Sequence, residues 1–312
     1  MFRIGIDLGG TNIAVGIVDE AQRIVAAHSV PTVWQNGARA LLDDIAACVK
    51  AAMAKGGYTL ADCAGAGIGV PGTCDTNRGV VRYAHNIGWD GVPVTSELRR
   101  RLDLPVFLAN DADCAALGEV VGGAAKGCSS ALMVTLGTGV GGGFIVDGRI
   151  WCGFGGLGGE YGHMCIEMGG APCTCGECGC WEAYASATAL IRQAKEAAAA
   201  HPESALNVIA LSGRTIYATA AAGDAAACAV TAQYAAYVGA GLVNFINALF
   251  PEVVLLGGGV SGAGDALLQP VRGYVKAHAF VREASLLPEI RAAALGGDAG
   301  IIGAAALVRQ IA

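Results

Sequence analysis

The 312-residue sequence predicts an α/β protein built as two lobes of similar design. Three observations carry that expectation. The chain is longer than one hydrophobic core usually supports. Short apolar runs alternate with helical periodicities along its length. A strand, a glycine turn and a second strand occur twice. "IGIDLGGTNIAVGIVD" (4–19) lies on "LMVTLGTGVGGGFIVD" (132–147) without a gap, setting Leu8 on Leu136, Gly9 on Gly137, Ile17 on Ile145, Val18 on Val146 and Asp19 on Asp147. A cleft between two such lobes is where a small ligand is expected.

The elements follow in order. Phe2, Ile4 and Ile6 alternate with Arg3 and Gly5 as a half-buried strand; "DLGGTN" turns, and "IAVGIV" and "AQRIVAAHSV" continue as strands. Leu41, Leu42, Ile45, Val49 and Met53 recur at helical spacing. "GAGIGVPG" and "LPVFLAN" read as buried strands, the latter stopping at Asn110-Asp111 before a helix over about 112–121. After the second hairpin come helices near 183–199 and 225–249, the strand "EVVLLGGG", a helix near 264–278 and a last one over 300–310. The expected lobes are 1–115 and 116–297, the latter with a cysteine loop at 163–182. A C-terminal helix, about 298–312, is expected to pack back onto the first lobe.

Composition narrows the class. At 54% hydrophobic and 15% charged the chain is globular, and a net charge of −6 gives no electrostatic footprint for nucleic acid or anionic membrane. The 48 glycines, without a collagen period, suggest tight turns and backbone that approaches a ligand closely. The apolar stretch Ala225 to Phe250 is interrupted by Gln233, Asn244 and Asn247 and reads as a buried helix. "MFRIGIDLGG" contains no signal-peptide core, and twelve cysteines without an export signal suggest a reducing, cytoplasmic setting.

Both glycine turns can cradle phosphate, because glycine lets backbone N–H groups approach an anion. A plain hairpin turn explains either one equally well. Asp7, at the end of its strand, suits a water-mediated partner of Mg²⁺. Neither turn is a Walker loop, and "GGGVSGAG" (257–264) resembles a dinucleotide fingerprint only in outline. Asn110 and Asp111 stand where a strand gives way to a helix. A helix cap and a catalytic base are both read there, and the motif alone leaves the choice open.

Within "HMCIEMGGAPCTCGECGC" (163–180), His163, Cys173, Cys175 and Cys180 make a closed tetrahedral Zn²⁺ set. Cys178 is a fifth candidate or a bystander. A redox pair or a disulfide ranks lower in a reducing compartment. Four protein ligands leave no open coordination position, so the metal is read as structural. Glu160 and Glu182 flank the loop. With the free nitrogen of a zinc-bound His163, they would suit a polyhydroxylated substrate.

With these pieces in order, the chain resembles the ROK family of sugar kinases and repressors, most closely its bacterial zinc-containing glucokinases. The resemblance spans nearly the whole chain and rests on "DLGGTNIAVGIVD", "GIGVPGTCDTNRGVV", "NIGWDGVPV", "NDADCAALGE", "TLGTGVGGGFIVDGRI", "GGEYGHM", "CTCGECGCWE" and "LLGGGVSGAGD". It implies an actin-like, ribonuclease-H-like fold and ATP-dependent phosphorylation of a hexose 6-hydroxyl. Asp111 would be the base, and Gly72, Asn86, Asn110, Asp111, Glu160, His163 and Glu182 would bind the sugar. Asp7, Gly9, Gly10, Thr11, Asn12, Gly137, Thr138, Gly139, Gly258 and Gly259 would bind ATP with Mg²⁺. His163, Cys173, Cys175 and Cys180 match the family's zinc ligands. Closure of the lobes would exclude water. Asp113 departs from the family's usual amide and could alter the charge beside Asp111. A homodimer is usual among relatives. Kinases for N-acetylmannosamine, N-acetylglucosamine, allose or fructose stay open, as does polyphosphate as donor. A repressor is disfavoured here, because the first glycine turn begins at residue 7 and leaves no room for a preceding DNA-binding segment.

Overall fold

The computed structural model describes residues 1–309. In chain order the strands are β1 (Phe2–Leu8), β2 (Asn12–Val18), β3 (Ile24–Pro31), β4 (Cys63–Val70), β5 (Thr73–Asp75), β6 (Val80–Ala84), β7 (Trp89–Val92), β8 (Val106–Asn110), β9 (Ser130–Leu136), β10 (Val140–Val146), β11 (Arg149–Ile150), β12 (Val253–Gly257) and β13 (Glu289–Ala292). The helices are α1 (Gly37–Gly56), α2 (Val94–Leu102), α3 (Asp111–Gly122), α4 (Glu182–Ala185), α5 (Ala187–Ala200), α6 (Gly213–Ala221), α7 (Ala225–Leu249), α8 (Asp265–His278) and α9 (Asp298–Ala306).

The duplication is visible in the sheets. One has the order β3-β2-β1-β4-β8 and another β11-β10-β9-β12-β13, with β5-β6-β7 forming a small third sheet. The gapless alignment holds at the strand ends: adding 128 to Phe2–Leu8 and Asn12–Val18 gives Ser130–Leu136 and Val140–Val146. The turns themselves are closed differently, by a bond to the third residue on in the first and to the second residue on in the other. Gly9 donates to Asn12 O at 2.9 Å, and Gly137 donates to Gly139 O at 3.0 Å.

Two compact units emerge. Among the described residues, one comprises 1–131, 143–159 and 294–309; the other comprises 132–142 and 160–293. This differs from a boundary after residue 115, because α3 is continuous to Gly122 and packs along its length on α9. The helix expected over 300–310 ends as α-helix at Ala306, with a 3₁₀ turn to Arg309; residues 310–312 lie outside the described residues. α9 approaches its neighbours backbone to backbone. A Cβ on Gly67 would lie 1.8 Å from Ala304 O, and one on Gly303 would lie 1.6 Å from Cys114 O. Only glycine permits such contact. Glu119, fully buried at the other end of α3, accepts N–H bonds from Ala124 (2.7 Å), Ala294 (2.9 Å) and Leu295 (2.7 Å). A buried carboxylate is tolerable there because backbone donors satisfy it.

In the second unit, the helix expected over 183–199 is two helices. Ser186 adopts extended backbone and accepts from Ala189 N, so it caps α5 and ends α4. The apolar stretch 225–249 is one helix, long and apolar enough to cross a membrane. It packs against α5, α6 and α8, with Tyr234, Val238, Leu242 and Ile246 buried, which is how a core helix behaves.

Candidate active site and metal centre

In the first unit, the parallel strands β1, β4 and β8 end at one edge of the sheet. Register pairs Asp7 with Gly69, and Val70 with Asn110, so the carboxyl ends of three strands meet there. In open α/β sheets this is where ligands bind. Asn110 resolves the ambiguity of its motif: it is the helix cap. Its Oδ1 accepts from Ala112 N at 2.8 Å and Asp113 N at 3.4 Å, while its Nδ2 donates to Gly72 O at 3.0 Å. Asp111 is therefore the first residue of α3. Its Oδ1 accepts from Ala112 N at 2.9 Å. Asp113 lies on the same helix and is buried.

Asp7 is partly buried, and burial first, then the charge of Asp111, push its carboxyl from the ordinary 3.8 up to about 6. A Cβ on Gly300 would approach Asp7 Oδ2 to 2.8 Å, so the N-terminal turn of α9 walls this carboxylate. The first glycine turn is fixed by Thr32, whose Oγ1 donates to Gly9 O at 2.8 Å and whose N donates to Thr11 O at 2.9 Å. Thr11 and Asn12 are exposed. A Cβ on Gly10 would lie 3.7 Å from Cβ of Asn86, so that candidate borders the turn. Gly72 takes a φ of 94°, and a Cβ there would sit 2.3 Å from Tyr83 O. Backbone crowding alone requires that glycine. The unit thus brings together Asp7, Gly9, Gly10, Gly72, Asn86, Asn110 and Asp111.

The second unit carries the other candidates. Gly137–Gly139 joins β9 to β10. Gly258 follows β12 with a φ of 81°, and a Cβ there would lie 2.5 Å from Leu136 O, so the third glycine run backs the turn. Gly259 has open space around it. Glu160 is exposed, one 3₁₀ turn before His163, whose N donates to Glu160 O at 3.1 Å.

His163, Cys173, Cys175 and Cys180 place one donor atom each within 4.8 Å of all the others. Zn–S and Zn–N bonds of ~2.3 and ~2.0 Å in a tetrahedron imply S···S of roughly 3.8 Å and N···S of roughly 3.5 Å. Cys175 Sγ to Cys180 Sγ is 3.6 Å, and Cys173 Sγ to His163 Nδ1 is 3.6 Å. The donor set therefore fits zinc, with Nδ1 as the ligand nitrogen. Burial first, and then the neighbouring thiols, push Cys180 up to about 12, so metal binding must displace its proton. Cys178 is exposed and stands outside the set.

Glu182 is more engaged than its reading as a flanking acid suggests. Its Oε2 accepts from Val140 N at 2.9 Å, and its Oε1 accepts from Thr174 Oγ1 at 3.2 Å. Thr32 at the first turn, Thr174 beside Glu182, Thr188, whose Oγ1 donates to Thr138 O at 2.8 Å, and the buried Glu119 carry no signal in spacing or composition that marks them out.

Comparison with known proteins agrees with this geometry. A model of the ROK family matches residues 3–311. The glucokinase of Halalkalibacterium halodurans is 41% identical over 98% of this chain and 94% of its own. A ROK family glucokinase from Streptomyces griseus, crystallised with glucose and AMPPNP, is 38% identical with a TM-score of 0.83, over 99% of this chain and 100% of that one. The xylose repressor of Bacillus subtilis is 31% identical over 78% of this chain and 60% of its own. With a family model matched over residues 3–311 and relatives alike in sequence and fold along nearly the whole chain, the chain belongs to the ROK family and has that family's actin-like, ribonuclease-H-like α/β fold.

Proposed function

We propose that this protein is an ATP-dependent hexose kinase that converts glucose to glucose 6-phosphate. The observation that carries the reading is Asp111. It is the first residue of a helix capped by its own neighbour, at the carboxyl edge of three parallel strands. The similarity to glucokinases at 41% and 38% identity supports glucose as the substrate.

In this reading the Asp111 carboxylate accepts the proton of the sugar 6-hydroxyl as its oxygen forms a bond to the γ-phosphorus. The bond from that phosphorus to the bridging oxygen breaks, and ADP leaves. Asn110 spends Oδ1 on the cap and one Nδ2 hydrogen on Gly72, leaving its second amide hydrogen for a sugar hydroxyl. Gly72 and Asn86 line the same place. Glu160 and Glu182 accept from other hydroxyls, and His163, ligating through Nδ1, keeps Nε2 for another. Gly9, Gly10, Thr11 and Asn12, with Gly137, Thr138 and Gly139, meet the phosphates, and Gly258 and Gly259 border the nucleotide. Mg²⁺, when bound, neutralises phosphate charge, and Asp7 would hold it through water. Zinc on His163, Cys173, Cys175 and Cys180 is structural. We place the enzyme in the cytoplasm, as a homodimer.

Formation of sugar 6-phosphate from glucose, N-acetylmannosamine, N-acetylglucosamine, allose and fructose, with ATP or polyphosphate as donor, tests the assignment. Glucose with ATP is expected to give the highest kcat/KM. Asp111→Ala is expected to abolish turnover while glucose still binds by calorimetry; retained turnover in that variant would refute the mechanism. The similarity to a xylose repressor favours one second reading, a sugar-responsive regulator. Sugar-dependent DNA binding without ADP formation would establish it instead.

A further inference from the structure

The turn Gly137–Gly139, which the proposed function assigns to nucleotide phosphates, is held by the chain that leaves the last cysteine of the metal set. Val140 N donates to Glu182 Oε2 at 2.9 Å, Ala187 N to Gly137 O at 2.7 Å, and Thr188 Oγ1 to Thr138 O at 2.8 Å. These three partners lie two, seven and eight residues beyond Cys180 (182 − 180, 187 − 180, 188 − 180). The other oxygen of Glu182 accepts from Thr174, the residue between Cys173 and Cys175, at 3.2 Å. Cys173 Sγ itself lies 4.0 Å from that oxygen. A Cβ on Gly139 would come within 2.2 Å of Glu182 Oε2, so the turn is fitted against this carboxylate with no space to spare.

We infer that Glu182 is a positioning residue for the nucleotide, linking occupancy of the cysteine site to the affinity of the Gly137–Gly139 turn. The inference rests on the reading of that turn as a phosphate site and goes beyond it, since the family resemblance gives Glu182 to the sugar. The physical route is short. A closed tetrahedral ion fixes Cys173 and Cys175, and with them the Thr174 hydroxyl that holds one oxygen of Glu182. The second oxygen then stays on Val140 N, and the turn keeps its shape. Without the ion the loop loosens, the carboxylate regains its rotamers, and the nucleotide must supply the ordering. Linkage makes the effect reciprocal: if zinc tightens nucleotide binding, nucleotide must slow the loss of zinc.

The test uses the full zinc-loaded chain without sugar. AMPPNP with Mg²⁺ is titrated calorimetrically, and zinc release to a chromophoric chelator is timed with and without AMPPNP. For Glu182→Gln, matched in zinc content, a loss of about tenfold in AMPPNP affinity is expected, the size of one charge-assisted hydrogen bond. AMPPNP should slow zinc release from the native chain and have no such effect on Glu182→Gln. Should Glu182→Gln fail to hold zinc, Thr174→Val removes only the hydroxyl link and should give the same loss of protection. Thr188→Val should lower AMPPNP affinity about fivefold without changing sugar affinity, and Thr188→Ser should restore it. Unchanged AMPPNP affinity in Glu182→Gln, or zinc release from the native chain indifferent to AMPPNP, overturns the inference while leaving the kinase reading intact. If the native chain binds no AMPPNP and forms no ADP, the kinase reading itself fails.

Discussion

Asp7 carries a charge that the folded chain disfavours, and the consequence can be measured. Burial and the neighbouring Asp111 push its carboxyl from 3.8 up to about 6. The difference, 6 − 3.8, converts at about 1.36 kcal/mol per pH unit to roughly 3 kcal/mol. A carboxyl raised on folding contributes its stability in full below about 3.8 and loses it as pH rises through about 6. At pH 8 the metal-free protein therefore bears the whole penalty. Asp7→Asn keeps the shape and removes the charge. Denaturation in urea, followed by circular dichroism without Mg²⁺, should show the variant gaining on the native chain between pH 4 and 7. The gain should approach ~3 kcal/mol and level off above pH 7. In an Asp111→Asn background the pH-dependent part should shrink, because the second cause is gone. A variant-minus-native difference that is flat across this range would refute the reasoning. Under the proposed role of Asp7, the same variant should also bind Mg²⁺–nucleotide more weakly.

Other outcomes follow from the same geometry. Zinc affinity, measured by chelator competition, should rise with pH across 6–8, because Cys180 begins as a thiol pushed up to about 12 and must release its proton; a pH-independent affinity would contradict the assigned ligand set. Glu119→Ala strips the acceptor from three N–H groups and should lower stability by upwards of ~3 kcal/mol, read as a fall in Tm. Gly303→Ala, whose Cβ would meet Cys114 O at 1.6 Å, should fail to fold or unfold many degrees lower. Gly273→Ala, exposed inside α8 with open space around it, should instead stabilise by ~0.5–1 kcal/mol. Equal effects of the two glycine substitutions would remove the packing explanation.

Much of the site was legible because its signals are local. The hairpin repeat aligns residue for residue, so the two glycine turns fall at the same offset as their flanking strands. The spacing of His163, Cys173, Cys175 and Cys180 survives folding because a loop of that length can close on one ion without distant help. What was not legible depends on partners far along the chain. The docking of α9 rests on Gly5, Gly67, Gly118 and Gly303 meeting backbone across separations that no periodicity encodes. α9 is apolar on every side, so it shows no stripe to say which face turns inward. Ser186 is the exception among the misses. A serine just before an alanine-rich helix is an ordinary cap, and it could have divided the helix expected over 183–199.

The glycines show how a correct compositional signal can be only partly understood. Their abundance suggested backbone approaching a ligand, and Gly10, Gly137 and Gly139 occupy turns suited to that. Gly5, Gly67, Gly118 and Gly303 instead let α9 lie directly on β1, β4 and α3. The two uses belong together. A helix held by backbone contact has little freedom to shift, and α9 walls Asp7 with its first turn. Its partner α3 begins at Asp111, and Glu119 on that helix also fixes the chain entering α9. Asp111, Asp7 and the small-residue packing are one assembly within the first unit. A side chain added at the α9 interface should therefore disturb the chemistry of Asp111 before it touches any substrate.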